Sequence, residues 1–392
     1  MNGDTGAGFR PANPPATWLA AANVPDLALD IEVSLRSSGR RTSAKARTSG
    51  TGETYGNRSD ATIRSQLDEL GLRSNQSTLV SPNHCFTPTP VCGVGPGEEP
   101  RPADPIPPPK GSAGRGVRVA IIDTGIFRDV SQHPWLASGV NFSLSDVEPP
   151  DADCDGFIDP VSGHGHFVAG IVRTAAPGAT IFVERLFHRG RFILESDLNT
   201  ALHTVIDADP HIINLSLTGQ TWSGGPPTGL VDVWRKLRRK TPEIVVVASA
   251  GNAGKNVPFW PAAQPEVVSV GAVDDRGLLP TNPDFSNYGT WVKVFARGYR
   301  VVNAYTTGIL KYELPAEMGT PSATFKYPFC SWSGTSFSAP LVTGRIAARM
   351  TKPRGGLSAA AARDAVIADA RAAGTSGPGG TAPDGSPIYI VK

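Results

Sequence analysis

Val119-Ala120-Ile121-Ile122-Asp123-Thr124-Gly125 reads as a buried strand that ends on a carboxylate. Apolar, largely β-branched residues without alternation favour a strand covered on both faces, as in a parallel sheet. A carboxylate set directly after them is costly unless a helix cap or a catalytic partner uses it. Outward from this stretch, similar runs occupy Val117 to Ile122, Thr180 to Leu186, Ile212 to Leu217, Ile244 to Ala248, Val267 to Val270 and Val292 to Ala296. Between and after them, Phe167 to Thr174, Leu194 to Asp207, Leu230 to Arg239 and Ser336 to Met350 carry apolar residues at helical spacing. The alternation predicts an α/β fold, a doubly wound, mostly parallel sheet with helices on both faces and right-handed crossovers. In such folds function gathers at the carboxyl ends of the strands, where Asp123 falls.

At 392 residues and 40% hydrophobic, the chain can hold one large domain or two ordinary ones. A formal charge of +2 argues against a nucleic-acid partner. No run approaches the roughly 18 apolar residues of a membrane span. Met1 to Asp30 lacks the basic start and apolar core of a secretory signal, so the sequence as written reads as cytoplasmic, with secretion the alternative if the start site lies elsewhere. Oligomeric state is not legible. Cys85, Cys92, Cys154 and Cys330 are too few and scattered for a disulfide framework; free thiols are expected, a single Cys85 to Cys92 bridge being the alternative.

Residues 1–116 are rich in Pro, Gly, Ser and Thr, carry a basic patch from Arg36 to Arg47 and close on the proline-dense Pro100 to Pro109. The expectation is a mostly disordered arm and linker, with one short helix at 60–72, where Asp60 caps and Ile63, Leu67 and Leu70 share a face. The folded domain then spans 117–392. It ends in an alanine-rich helix from Ser358 to Ala372 and an edge strand at Ile388 to Val391.

Three further stretches carry chemistry. In Gly163-His164-Gly165-His166-Phe167-Val168-Ala169-Gly170, His164 stands between glycines just before a helix, where it can act as a base, as a metal ligand or as a plain turn residue. Val245 to Asn252 ends a strand in a turn whose Asn252 amide can donate to an oxyanion, although Gly-Asn is also a common turn pair. In Trp332-Ser333-Gly334-Thr335-Ser336-Phe337-Ser338-Ala339-Pro340, Ser336 opens a helix, where unpaired N–H groups and the positive dipole end favour a developing oxyanion; an ordinary cap is the competing reading.

Asp123, His164, Asn252 and Ser336 follow in the order Asp, His, Asn, Ser, and the chain from Val117 to Met350 resembles the subtilisin-like serine proteases around each of them. Ala176 to Ala179, Asn214 to Leu217 and Phe285 to Gly289 resemble further segments of that family. The resemblance implies a serine endopeptidase acting on a peptide or protein substrate without a required cofactor, by an acyl-enzyme route. Asp123, His164 and Ser336 would be the triad and Asn252 the oxyanion donor. Ser216, Leu217 and Gly219 would pair with an extended substrate, and Ala248, Ser249, Ala250 and Gly251 would line the pocket before the cut. A family-based reading also makes the N-terminal region an inhibitory propeptide, against the disordered arm that composition favours.

Departures from the family pattern are His166-Phe167 in place of Thr-His, Arg297 in place of a proline, and a long aromatic-rich segment from Asn303 to Cys330, readable as a substrate wall or as a surface hairpin. Asp151, Asp153, Asp155 and Asp159 match the first half of a calcium loop, although its closing glutamate is missing, so a structural calcium competes with a solvated acidic loop. Two other functions stay open: a metal-dependent hydrolase built on His164, His166, Asp123 and these carboxylates, and a catalytically silent peptide-binding module.

Overall fold

A computed structural model describes residues 30–37, 40–47, 84–88, 98–188, 192–221, 224–279, 285–313, 318–351, 356–374 and 380–392. The chain divides into two units, Met1–Pro82 and Asn83–Lys392. In the first, strands Asp30–Ser37 and Arg40–Arg47 pair antiparallel, with Ser37 opposite Arg40, so the basic patch lies largely on a hairpin. The helix expected at 60–72 lies outside the described residues.

The second unit starts well before the expected boundary at residue 117. Cys85–Pro88 forms a strand whose Phe86 is only 1% exposed, and Arg101–Pro102 pairs with Cys330 and Ser331. Average composition concealed this. One buried aromatic and a few edge hydrogen bonds anchor a segment rich in proline and glycine.

Eight strands form the central sheet in the order Ile390–Val391, Val294–Arg297, Val268–Val273, Val245–Ser249, Ile212–Leu215, Arg118–Asp123, Thr180–Arg185 and Val140–Asn141. Every neighbouring pair is parallel. The expected edge strand at the C-terminus is present, shortened to Ile390–Val391. Because side chains alternate along a strand, Val119, Ile121, Val245 and Val247 face one core with Val168, Val172, Val342 and Ile346. Ala120, Ile122, Val246 and Ala248 face another, with Leu198, Leu202, Val233 and Trp234. Helices His164–Ala175 and Thr335–Met350 thus cover one face, and Glu195–Asp207 and Val231–Lys240 the other.

The aromatic-rich segment folds as hairpin strands Gly308–Lys311 and Ser322–Phe325 between Val301–Ala304 and Phe329–Trp332. Its rings turn inward. Tyr305 lies 5.0 Å from Phe325 and 6.0 Å from both Phe127 and Trp332, so the segment is tied into the core, and among its aromatics Tyr327 alone is more than half exposed.

Candidate active site

Asp123 closes its strand at the carboxyl edge of the sheet, and His164 is the first residue of helix His164–Ala175 rather than a loop residue before it. The Asp123 carboxylate accepts from Thr124 N–H at 2.7 Å and from His164 Nδ1 at 2.7 Å, through the same Oδ1. A carboxylate at Nδ1 holds the ring proton there, which makes Nε2 the nitrogen able to take a second proton. Gly163 makes the turn that brings the ring in. Its φ of 81° is left-handed, and a Cβ there would stand 2.5 Å from the Phe127 ring.

Ser336 is the second residue of helix Thr335–Met350. The His164 ring packs 5.6 Å from Trp332 and 5.4 Å from Phe337, so it is bracketed by rings on both sides of the serine in sequence. Pro340 inside this helix has no N–H to give to the Ser336 carbonyl four residues back. Ser216 Oγ donates to that carbonyl instead, at 2.8 Å, while Ser336 Oγ donates to the Ser216 carbonyl at 3.3 Å. Asn214 completes the tie: its amide donates to Ser216 Oγ at 2.9 Å and its oxygen accepts from Thr343 Oγ1 at 2.9 Å. The serine helix is therefore locked to the neighbouring strand at its first turn and at Thr343.

Asn252 reaches the same place from strand Val245–Ser249. Its Oδ1 accepts from Thr335 N–H at 2.9 Å and Thr335 Oγ1–H at 2.8 Å, while its buried Nδ2 has no partner among the described residues. Gly251, at φ 101°, donates its N–H to Thr335 Oγ1 at 3.0 Å. Behind the turn, buried Asn287 donates to the Ala250 carbonyl at 2.8 Å and accepts from Ala253 and Lys255 N–H at 3.1 Å each. Sequence reasoning missed Thr124, Asn214, Asn287 and Thr335 as supports. A short polar residue in an apolar run was the signal for Asn214; Thr335 reads as a helix-start residue of a common type.

The edge expected to receive substrate is already taken. Strand Cys85–Pro88 lies antiparallel to both flanks, with Pro88 opposite Leu217, Thr87 opposite Thr218, Phe86 opposite Ile193 and Cys85 opposite Leu194. A Cβ on Gly219 would meet the Cys85 carbonyl at 2.6 Å. His84 Nδ1 bonds Glu195 at 2.5 Å. Near Ser336 in sequence, Ser333 Oγ donates to Glu98 at 2.8 Å, and Glu98 sits 3.3 Å from Arg300. Asp123, His164 and Ser336 are at most 1% exposed. Ala248, Ser249 and Ala250 are equally buried, and Ala248 and Ala250 belong to core clusters.

Other expected ligands separate. The two neighbours of Gly165 point apart: His166 packs 5.1 Å from Phe127 and 5.6 Å from His133, and neither of its nitrogens has a partner among the described residues. Ligand atoms of His164, His166 and Asp123 gather into no common cluster among the described residues. Asp151, Asp153 and Asp159 bring carboxylate oxygens within 4.8 Å of one another. Asp155 does not join them; it accepts from Phe157 N–H at 2.9 Å and faces Lys311 at 3.8 Å, because its side chain closes the turn instead. Cys85, Cys154 and Cys330 are free, and Cys92 lies outside the described residues. Arg297 is exposed, and Gly298 N–H still reaches the Val273 carbonyl at 3.0 Å, so the turn forms without a proline.

Comparison with known proteins places the chain in a family. A thermophilic serine proteinase of Bacillus sp. (strain AK1) is 33% identical over 226 residues, covering 54% of this chain and 51% of that protein. Thermitase of Thermoactinomyces vulgaris is 28% identical over 240 residues, covering 59% of this chain and 74% of that protein. The chain thus spans about half the length of the first of these relatives. In fold, it is similar to proteases from Pseudoalteromonas arctica at a TM-score of 0.54, with 22% identity over 72% of this chain and 89% of that one. A cold-adapted subtilisin-like serine proteinase gives a TM-score of 0.51 at 21% identity, over 71% and 89%. The family profile matches residues 114–384, well over half of the chain, and so this protein belongs to the subtilase family of peptidases.

Proposed function

We propose that the chain is a serine endopeptidase that cleaves peptide or protein substrates through Ser336, His164 and Asp123. The observation that carries this reading is the 2.7 Å bond from His164 Nδ1 to Asp123 beside a serine at a helix N-terminus. His164 Nε2 takes the Ser336 hydroxyl proton as Oγ attacks the scissile carbonyl. The tetrahedral oxyanion is held by Asn252 Nδ2–H and the Ser336 N–H. On collapse the C–N bond breaks, the imidazolium gives its proton to the leaving amine, and an ester to Ser336 remains. Water, deprotonated by the same His164, hydrolyses that ester and restores the hydroxyl. Asp123 stays ionised throughout and orients the ring.

Substrate would enter as an added strand against Ser216, Leu217 and Gly219, with Ala248 to Gly251 behind the residue before the cut. The chain's own Cys85–Pro88 takes that edge, which favours an inhibitory role for the N-terminal region over an inert arm. Asp151, Asp153 and Asp159 form a hard oxygen donor set suited to a structural calcium held away from the chemistry; a melting temperature raised by calcium and lowered by a chelator would support it.

A fluorophosphonate probe tests the assignment. It should label the wild-type chain at Ser336 and leave Ser336→Ala unlabelled, and zinc chelation should not diminish labelling. Labelling elsewhere, or loss of activity with the chelator, would return the metal-dependent alternative to favour. Peptides released from a proteome by wild type but not by Ser336→Ala would define the substrates.

A further inference from the structure

One buried carboxyl outside the Asp123–His164–Ser336 group touches both loops that carry the pair. Glu148 lies on strand Val147–Glu148, which runs parallel to Ile126–Phe127 with Phe127 opposite it. Its Oε2 accepts from Thr124 Oγ1–H at 2.8 Å and from Gly163 N–H at 3.0 Å. Thr124 Oγ1 in turn accepts from Gly165 N–H at 2.9 Å. Thr124 follows Asp123, and Gly163 and Gly165 flank His164.

The need for such a clamp follows from the local sequence. Helix His164–Ala175 begins on a glycine, so its N-cap residue has no side chain to satisfy the first N–H groups. Glycines on both sides of His164 also leave the backbone there without side-chain anchorage. Glu148 and Thr124 supply both functions from outside the helix. A shift of either loop would change the Asp123 to His164 separation directly.

We propose that Glu148 is a positioning residue for the Asp123–His164 pair, its single Oε2 fixing the residue after the aspartate to the residue before the histidine. This rests on the peptidase reading for its effect on rate, though not for its effect on the His164 hydrogen bond. Burial pushes the Glu148 carboxyl up to about 8, and nearby Asp123 adds to this, while the Thr124 and Gly163 bonds and Arg185 oppose it. Tyr305 also faces it, its hydroxyl raised chiefly by burial and secondarily by neighbours that include Glu148. Below that pH Glu148 is neutral, and Asp123 supplies the negative charge at the His164 ring. Above it, a second negative charge appears on the carboxylate that holds Thr124 and Gly163.

Glu148→Gln and Glu148→Ala in the full chain separate the outcomes. The first readout is the downfield proton resonance of His164 Nδ1–H bonded to Asp123. It should persist in wild type and Glu148→Gln, whose amide oxygen can accept the same two donors, and broaden or vanish in Glu148→Ala. The second is fluorophosphonate labelling of Ser336 against pH. Glu148→Ala should label roughly 10- to 100-fold more slowly; Glu148→Gln should recover the rate near pH 7 but lack the inflection near 8 that ionisation of Glu148 should give wild type. A folded Glu148→Ala protein with the resonance and labelling rate of wild type would overturn the proposal, as would an unchanged inflection in Glu148→Gln. If Ser336 takes no probe in any variant, the peptidase reading fails, and the resonance alone then decides the clamp.

Discussion

Asn252 divides its amide: Oδ1 is consumed by Thr335, and Nδ2 is left as a buried donor without a partner among the described residues. An unpaired buried donor is costly unless something else uses it, and in the proposed mechanism that is an oxyanion that exists only during reaction. Asn252→Ala should lower kcat by about 100-fold or more with little change in KM, read by steady-state hydrolysis of a peptide ester. His166 is the contrasting residue. Its nitrogens are also without partners among the described residues, yet aromatic rings surround it, and burial, then His133, holds its pKa well below the usual value. A histidine depressed on folding is neutral in the native state, so the unfolded chain binds more protons and stability falls as pH drops below about 6.5. His166→Phe should stabilise the protein by roughly 1 to 3 kcal/mol and flatten that acid loss. Urea unfolding of both proteins at pH 5 and pH 7.5 reads it, and parallel losses in the two would refute it.

Among the elements, the strand Cys85–Pro88 has the most consequence for function. It adds to Leu217–Thr218 by the backbone pairing a substrate would use, and Phe86 anchors it in the core with Leu198, Leu202 and Leu230. Phe86→Asp should dislodge it, since an uncompensated charge at a 1% exposed position is strongly unfavourable. Ser336 labelling should then accelerate, about tenfold for each 1.4 kcal/mol of docking energy lost. Unaltered labelling in a folded variant would make the strand a fixed part of the domain. The two helices on the active face meet at Gly344, where a Cβ would stand 2.5 Å from Ala175 Cβ. Gly344→Ala forces helices His164–Ala175 and Thr335–Met350 apart, carrying His164 and Ser336 with them. A loss of about 1 to 3 kcal/mol in stability and a drop in kcat are expected together, by chemical unfolding and by turnover.

Across the molecule, the sheet is closed at one edge by residues from the far end of the chain. Ile390–Val391 pairs with Phe295 and Ala296, and Val391 is packed in the main core. Val391→Asp should cost several kcal/mol and lower the melting temperature while leaving the site residues untouched, since the strand lies far along the sheet order from Arg118–Asp123. The alternation of strands and helices, and the helix bearing Ser336, were legible because continuous β-branched apolar runs and apolar periodicity at 3.6 residues are local properties. Boundaries moved by one to three residues where hydrogen bonding rather than hydrophobicity ends an element, as when Ile212 to Leu217 split into Ile212–Leu215 and Leu217–Thr218.

From the residues alone came the parallel α/β class and four chemically apt side chains, Asp123, His164, Asn252 and Ser336, each placed at an element end. Local pattern and residue chemistry suffice for that, because a buried strand and a helix start are encoded within a few neighbours. Tertiary structure alone decided which polar groups share a site. Asp155 turned away from its expected partners, His166 entered an aromatic core, and Asn214, Thr335 and Glu148 became supports of residues distant in sequence, Asn214 through Thr343. Those contacts depend on distances between segments that no local pattern contains. The same holds for Cys85–Pro88, whose place against Leu217–Thr218 is a backbone pairing carried by one buried phenylalanine in a proline-rich stretch.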